Sequence, residues 1–260
     1  MKTWITPGQA ADAIARGRGR GVKIAILDSG VEAAHPALAG LVLSDDIAIV
    51  EDAGRLKAVA GDGDLFGHGT AVAGIVRRVA PEAEIGSIRV LGEALTARTA
   101  MIAEGARQAI ERGYHILNCS FGCSIPEHVL KHKSWADEAY LRGVHVVAAC
   151  NNHDLGKPEW PAFFTSVLAV NMARDGADAD LFYKGGHLVE FSARGVDVEV
   201  AWRDGATKKV TGSSFAAPRV AGMLACLLSE VAGIRPTQAK ALFHRIAKPW
   251  TPAIRGLNEA

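Results

Sequence analysis

The sequence predicts an α/β protein built on a doubly wound, mainly parallel sheet flanked by helices. Nearly continuous apolar runs such as Val22 to Leu27 and Val144 to Ala149 lack the polar alternation of a half-exposed strand, as expected of strands covered on both faces. Segments with helical spacing alternate with these runs, the pattern of parallel strands joined by crossover helices. At 260 residues, 49% hydrophobic and 22% charged, the chain is long enough for one sizeable core, and no linker-like stretch divides it. It is therefore read as one domain over residues 1–260, with residues 1–20 as a lead-in.

Taken in order, a mixed polar helix is expected near 8–15, followed by the first strand at 22–27 and a second near 47–50. Gly67-His68 opens the apolar stretch Ala71 to Val76, which reads as a loop feeding a helix near 68–78. A strand near 84–90 precedes a helix at 99–112 that carries Ile102, Ala106, Ala109 and Ile110 at helical spacing. Strands near 115–120, 144–149 and 166–171 and a helix near 133–142 follow. The small and apolar residues from Val220 to Leu228 suit a buried helix within 213–231, and Gly233 and Pro236 end it and start the last helix at 236–246.

Three segments each offer one member of a charge relay: Ile24-Ala25-Ile26-Leu27-Asp28-Ser29-Gly30, Gly67-His68-Gly69-Thr70, and Gly212-Ser213-Ser214-Phe215-Ala216-Ala217-Pro218. Acyl transfer by a serine needs a hydroxyl, an imidazole to take its proton, and a carboxylate to fix the tautomer and stabilise the imidazolium. Asp28, His68 and Ser214 supply these in the order Asp, His, Ser, which differs from the chymotrypsin-like and α/β-hydrolase orders. Asp28 falls at the carboxyl end of a predicted strand, where open α/β sheets place their sites. Ser214 opens a predicted helix, so its backbone N–H would face an oxyanion.

With these motifs the chain resembles the subtilisin-like serine proteases (subtilases, peptidase family S8). The likeness extends to His35-Pro36, Val79-Ala80-Pro81, Ile88 to Gly92, Ile116 to Gly122 and Val146 to Asn151, and so covers roughly residues 20–257. The resemblance implies that Asn151 donates its side-chain amide to the tetrahedral intermediate, Asn152 taking no such part. It implies a substrate cleft walled by Ser120, Phe121 and Gly122 on one side and Ala148, Ala149 and Cys150 on the other. It also implies a cis Trp160-Pro161 bond, with Glu159 at the floor of the pocket for the side chain before the scissile bond. A carboxylate there would favour Lys or Arg. The family's tight calcium site is expected to be missing, since Ala37 stands where an Asp is usual and the histidine helix carries no inserted loop; neither Asp62-Gly63-Asp64 nor Asp175 to Asp180 offers the six to eight oxygens that calcium takes. No metal or other cofactor is expected.

Composition limits the alternatives. A net charge of +1, with basic residues scattered apart from the flexible-looking Arg16 to Gly21, gives no footprint for nucleic acid. No segment is apolar enough to span a membrane or to serve as a secretory leader. Cys119, Cys123, Cys150 and Cys226 sit mostly in apolar settings and are read as reduced core thiols, which points to the cytoplasm. The expected partner is a peptide or protein substrate; the oligomeric state is not legible. The function expected is that of a serine endopeptidase. Its alternatives are a protease dedicated to trimming a precursor peptide in ribosomal-peptide biosynthesis and an inactive binding protein on the same fold.

Overall fold

A computed structural model describes residues 4–250 apart from 39, 175, 178 and 179, so Asp175 and Asp178 of the acidic run lie outside the described residues. Helix α1 (Pro7–Arg16) starts at Thr6, whose hydroxyl accepts the Gln9 N–H while the Gln9 side chain accepts the Thr6 N–H. Strands β1 (Lys23–Asp28), β2 (Asp46–Asp52) and β3 (Arg55–Ala60) follow, then helix α2 (His68–Val79) and β4 (Glu84–Arg89). Next come α3 (Thr99–Glu111), β5 (Ile116–Cys119), α4 (Val129–Arg142), β6 (His145–Ala149) and β7 (Leu168–Ala173). The chain continues through β8 (Phe182–Tyr183), β9 (Phe191–Arg194), β10 (Val198–Trp202), β11 (Ala206–Val210), α5 (Ala217–Glu230), α6 (Pro236–Ile246) and β12 (Lys248–Pro249).

Ten strands form one sheet in the order β12-β8-β9-β7-β6-β5-β1-β4-β2-β3, and β10 and β11 make a separate hairpin. The run from β2 to β9 is parallel throughout, with β3 and β8 joined antiparallel. This is the α/β fold with a mainly parallel sheet that the apolar runs predicted. Side chains leave β1 alternately: Ile24 and Ile26 enter the core beneath α1, α2, α5 and α6, whereas Ala25 and Leu27 enter the one beneath α3 and α4. Connections from β1 and β5, adjacent in the sheet, run in opposite directions across it. Their carboxyl ends therefore open a crevice at a topological switch point.

Differences from the predicted elements have local causes. Strand β3 closes a tight hairpin through Ala53 (φ 48°) and Gly54 (φ 75°), the left-handed pair that such turns demand, but its alternating exposure hides it from an apolar-run search. Helix α4 begins at Val129, earlier than expected. The serine helix is divided into a 3-10 turn, Ser213–Phe215, and α5, which admits Pro218 in its first turn because no intrahelical N–H is needed there. The Arg16 to Gly21 lead-in is docked against the body: a Cβ on Gly17 would lie 2.2 Å from the Cys226 carbonyl oxygen, and Arg18 and Arg20 both pair with Glu82.

Two buried histidines weaken the fold in acid. His132 on α4 is fully buried with neither ring nitrogen hydrogen-bonded, and His145 on β6 pairs Nε2 with the Ile234 carbonyl while its Nδ1 has no partner. Burial pulls both down to about 4. The unfolded chain, titrating at about 6.5, binds protons that the native state refuses, so stability is full above that value and falls as the pH drops toward 4. The loss approaches about 3 kcal/mol per histidine, and melting between pH 7 and 4.5 should show a decrease of roughly 10–20 °C. His132→Phe should remove about half of it. A flat profile would refute this account.

Candidate active site

Asp28 ends β1 fully buried, and both of its carboxylate oxygens face His68 Nδ1, at 2.8 and 3.0 Å. The approach is possible because Gly69 has no side chain: a Cβ there would sit 2.0 Å from the Gly30 carbonyl oxygen and 3.1 Å from the Asp28 Cβ. Ser29 N–H donates to Asp28 Oδ1 (2.8 Å) and fixes the carboxylate's plane. His68 is 7% exposed at the start of α2. Burial alone would lower its pKa, but the adjoining Asp28, its hydrogen bond and the more distant Asp64 outweigh burial and raise it above the ordinary histidine value.

Ser214 lies in the 3-10 turn before α5, partly exposed, and the next residue, Phe215, places its ring 5.3 Å from that of His68. Its hydroxyl donates to the Ser120 carbonyl (3.1 Å), and the Ser120 hydroxyl donates to the Ser214 carbonyl (3.0 Å). Asn118 Nδ2 donates to that same Ser120 oxygen at 2.9 Å. The end of β5 and the serine turn are thereby laced together. Asp28, His68, Ser214, Ser120 and Phe215 converge at the crevice between the carboxyl ends of β1 and β5.

The two asparagines do not sit as the sequence suggested. Cys150 N–H donates to the Val170 carbonyl (3.1 Å), so the β6 ladder runs one residue past Ala149 and the chain turns later than expected. Asn151 is consumed by that turn: its Oδ1 accepts the His153 and Asp154 N–H groups, both at 2.9 Å, and its Nδ2 donates to Glu159. Asn152 is the residue that reaches the serine turn. Its Oδ1 accepts from Ser213 N–H (2.8 Å) and Ser213 Oγ (2.9 Å), and its amide nitrogen lies 3.6 Å from where a Gly212 Cβ would be. Counting strand residues from Ala149 outward, had the extra ladder bond been foreseen, would have found it.

Of the residues proposed for the cleft walls, Ser120, Phe121 and Gly122 follow β5, while Ala148 and Ala149 complete β6 beside them. Cys150 is buried, its thiol turned toward Asn171 and pushed up to about 12 by burial; it also contributes a carbonyl that accepts from Ser213 Oγ at 2.6 Å. Glu159 is half-buried and turned inward: a Cβ on Gly122 would fall 2.3 Å from its Cγ and 2.6 Å from its Oε2. The Glu159 carboxylate is thus packed on the bare face of Gly122, and burial raises its pKa against the opposing effects of Asn151 and Lys157. The bond after it, Trp160-Pro161, is cis, and Trp160 pairs through both backbone groups with Cys123. Among the described residues, no three His, Cys, Asp or Glu side chains are placed to hold a metal ion.

A carboxylate-fixed imidazole beside a serine turn, at the carboxyl edge of a parallel sheet, is the arrangement of a serine hydrolase. The subtilase family model matches residues 19–256, and the chain belongs to that family. It is similar to Subtilisin Savinase of Lederbergia lenta, 32% identical over 231 residues, 85% of this chain and 81% of the relative. M-protease of Shouchella clausii is likewise 32% identical, and there the chain spans 58% of the relative's length. The major intracellular serine protease of Bacillus subtilis is 30% identical over 82% of this chain and 70% of its own. Among solved structures, a cold-adapted subtilisin-like serine proteinase superposes with a TM-score of 0.73 at 26% identity, covering 88% of this chain and 83% of that one. Sphericase superposes with a TM-score of 0.72 at 25% identity, covering 86% and 82%.

Proposed function

We propose that the protein is an active endopeptidase that cleaves peptide bonds through an acyl-enzyme on Ser214 and favours Lys or Arg before the scissile bond. The observation that carries the first part is the buried Asp28–His68 pair set beside the Ser214-Phe215 turn. The mechanism requires the Ser214 hydroxyl to leave the Ser120 carbonyl and turn to the imidazole. His68 Nε2 accepts the hydroxyl proton as Oγ attacks the substrate carbonyl carbon, and Asp28 holds the resulting imidazolium. The tetrahedral oxyanion is met by the Ser214 N–H and, in this reading, by the amide of Asn152 rather than of Asn151. The imidazolium then protonates the departing amine, and water repeats the steps in reverse to free the acid. Asn151 serves instead to hold Glu159.

The inward Glu159 carboxylate supports the preference for a basic residue. Facing an apolar substrate side chain it would stay desolvated with no opposite charge beside its bond from Asn151, whereas a guanidinium would pair with it. The test is a mass-spectrometric cleavage profile against a peptide library, with kcat/KM for matched Arg, Leu and Phe peptides. Arg should lead by about tenfold or more, and Glu159→Gln should abolish that lead, as expected for loss of a charge-assisted bond. Preference for Leu or Phe in the unaltered enzyme would defeat the specificity while leaving peptidase activity standing. Four free thiols and likeness to an intracellular relative support a cytoplasmic setting. None of the described helices is long and apolar enough to cross a membrane.

A further inference from the structure

We propose that Asp64, outside the relay, is a positioning residue for His68 that ties the two ends of the Asp28–His68 bond together. Its place follows from a local conflict. Gly67 is the N-cap of α2, with φ 106°, and has no side chain to receive the first N–H groups of the helix. A capping Ser or Asn cannot be put there, because a Cβ would lie 2.7 Å from the Trp202 indole nitrogen. The cap is therefore supplied from Asp64. Its Oδ2 accepts from Thr70 N–H (2.8 Å) and Thr70 Oγ1 (2.6 Å), while Oδ1 accepts from Phe66 N–H (3.0 Å) and Gly67 N–H (2.8 Å).

An ordinary helix cap would stop at those bonds. Asp64 Oδ1 also receives the Ser29 hydroxyl at 2.7 Å, and that hydroxyl in turn accepts Gly69 N–H at 3.1 Å. Ser29 is the neighbour of Asp28 and bonds its carboxylate through N–H. One continuous network thus runs from Asp28 through Ser29 to Asp64 and on to the residues on both sides of His68. The ring is clamped relative to its own carboxylate partner. The charged groups acting on His68 are Asp28 on β1 and Asp64 in the loop before α2, both of which favour the imidazolium that forms as Ser214 attacks. Asp64 therefore contributes both geometry and charge to the general base without touching substrate.

The inference rests on His68 being that base, and its test separates the two. In Asp64→Asn, NMR titration of the His68 imidazole, which needs no turnover, should show a midpoint moved to lower pH. The acidic limb of kcat/KM should move with it, and kcat should fall roughly 10²-fold with KM little changed, the pattern of a displaced catalytic group. An unshifted His68 midpoint with unaltered kcat and a lowered melting temperature would reduce Asp64 to a helix cap and overturn the proposal. Should Asp64→Asn fail to fold, Ser29→Ala keeps the carboxylate but cuts the network; kcat should then fall with the His68 midpoint in place, and a kcat equal to that of the unaltered enzyme would overturn it. Absence of peptidase activity in the unaltered protein, with the NMR shift intact, would count against the endopeptidase reading alone.

Discussion

Replacement of Ser214 by Ala is expected to end covalent labelling by a fluorophosphonate and to lower kcat by on the order of 10⁶, the size of loss established for subtilisin itself. The fold should survive, because the hydroxyl makes one bond, to the Ser120 carbonyl, and the Ser120 bond back to the Ser214 carbonyl remains. A residual rate above water is compatible with the mechanism, since the oxyanion donors and binding still act. Labelling of the Ala variant to the same extent as the parent would show that another nucleophile reacts. Ser213, the adjacent hydroxyl, is engaged by Cys150 and Asn152 and is not expected to substitute.

The second large effect distinguishes neighbouring asparagines. Asn152→Ala should reduce kcat by about 10²–10³ with little change in KM, as removal of one oxyanion donor does in subtilisin. Asn151→Ala should leave kcat for a Leu or Phe peptide nearly unchanged but weaken the preference for Arg, because Asn151 Nδ2 holds Glu159. The reverse pattern, a deep loss in Asn151→Ala and a shallow one in Asn152→Ala, would return the oxyanion role to Asn151. Asn152 also accepts two bonds from Ser213, so melting temperatures measured alongside separate loss of the donor from slackening of the turn.

Asp28, His68 and Ser214, which the structure brings to one crevice, were legible because each stands beside a strong local signal. Asp28 ends an apolar strand, His68 follows a glycine and opens an apolar helix, and Ser214 precedes a run of small buried residues. The parallel sheet was legible for the same reason: strands covered on both faces carry their apolar character in the sequence. What escaped detection depends on single hydrogen bonds, on exposed surface or on shortness: β9, a buried parallel strand, is only four residues long and was not predicted. The choice between Asn151 and Asn152 turns on whether Cys150 still belongs to the β6 ladder, a matter of one N–H bonded to Val170. Asp64 did leave a trace, an acidic residue just ahead of a helix whose cap position is glycine, but its link to Ser29 spans distant sequence. Strands β3 and β11 lie at the surface with mixed polarity, and β10, whose Val198 and Val200 are buried, is short and interrupted by Glu199, so all three signal weakly.

Glu159 fits where it does because position 122 is bare, and this couples two sites that sequence keeps well apart. A methyl at Gly122 would push the Glu159 carboxylate aside, while a glycine at 159 would leave the Gly122 face uncovered; on the proposed reading, neither change alone would turn a slot that favours Lys or Arg into an apolar one. Evolution between such enzymes would then be contingent on order. A shortened residue at 159 coming first leaves room for bulk at 122, whereas bulk at 122 coming first displaces the carboxylate. Directed changes of specificity in this scaffold should accordingly be sought in paired libraries at 122 and 159, because a change at either position alters the space open to the other.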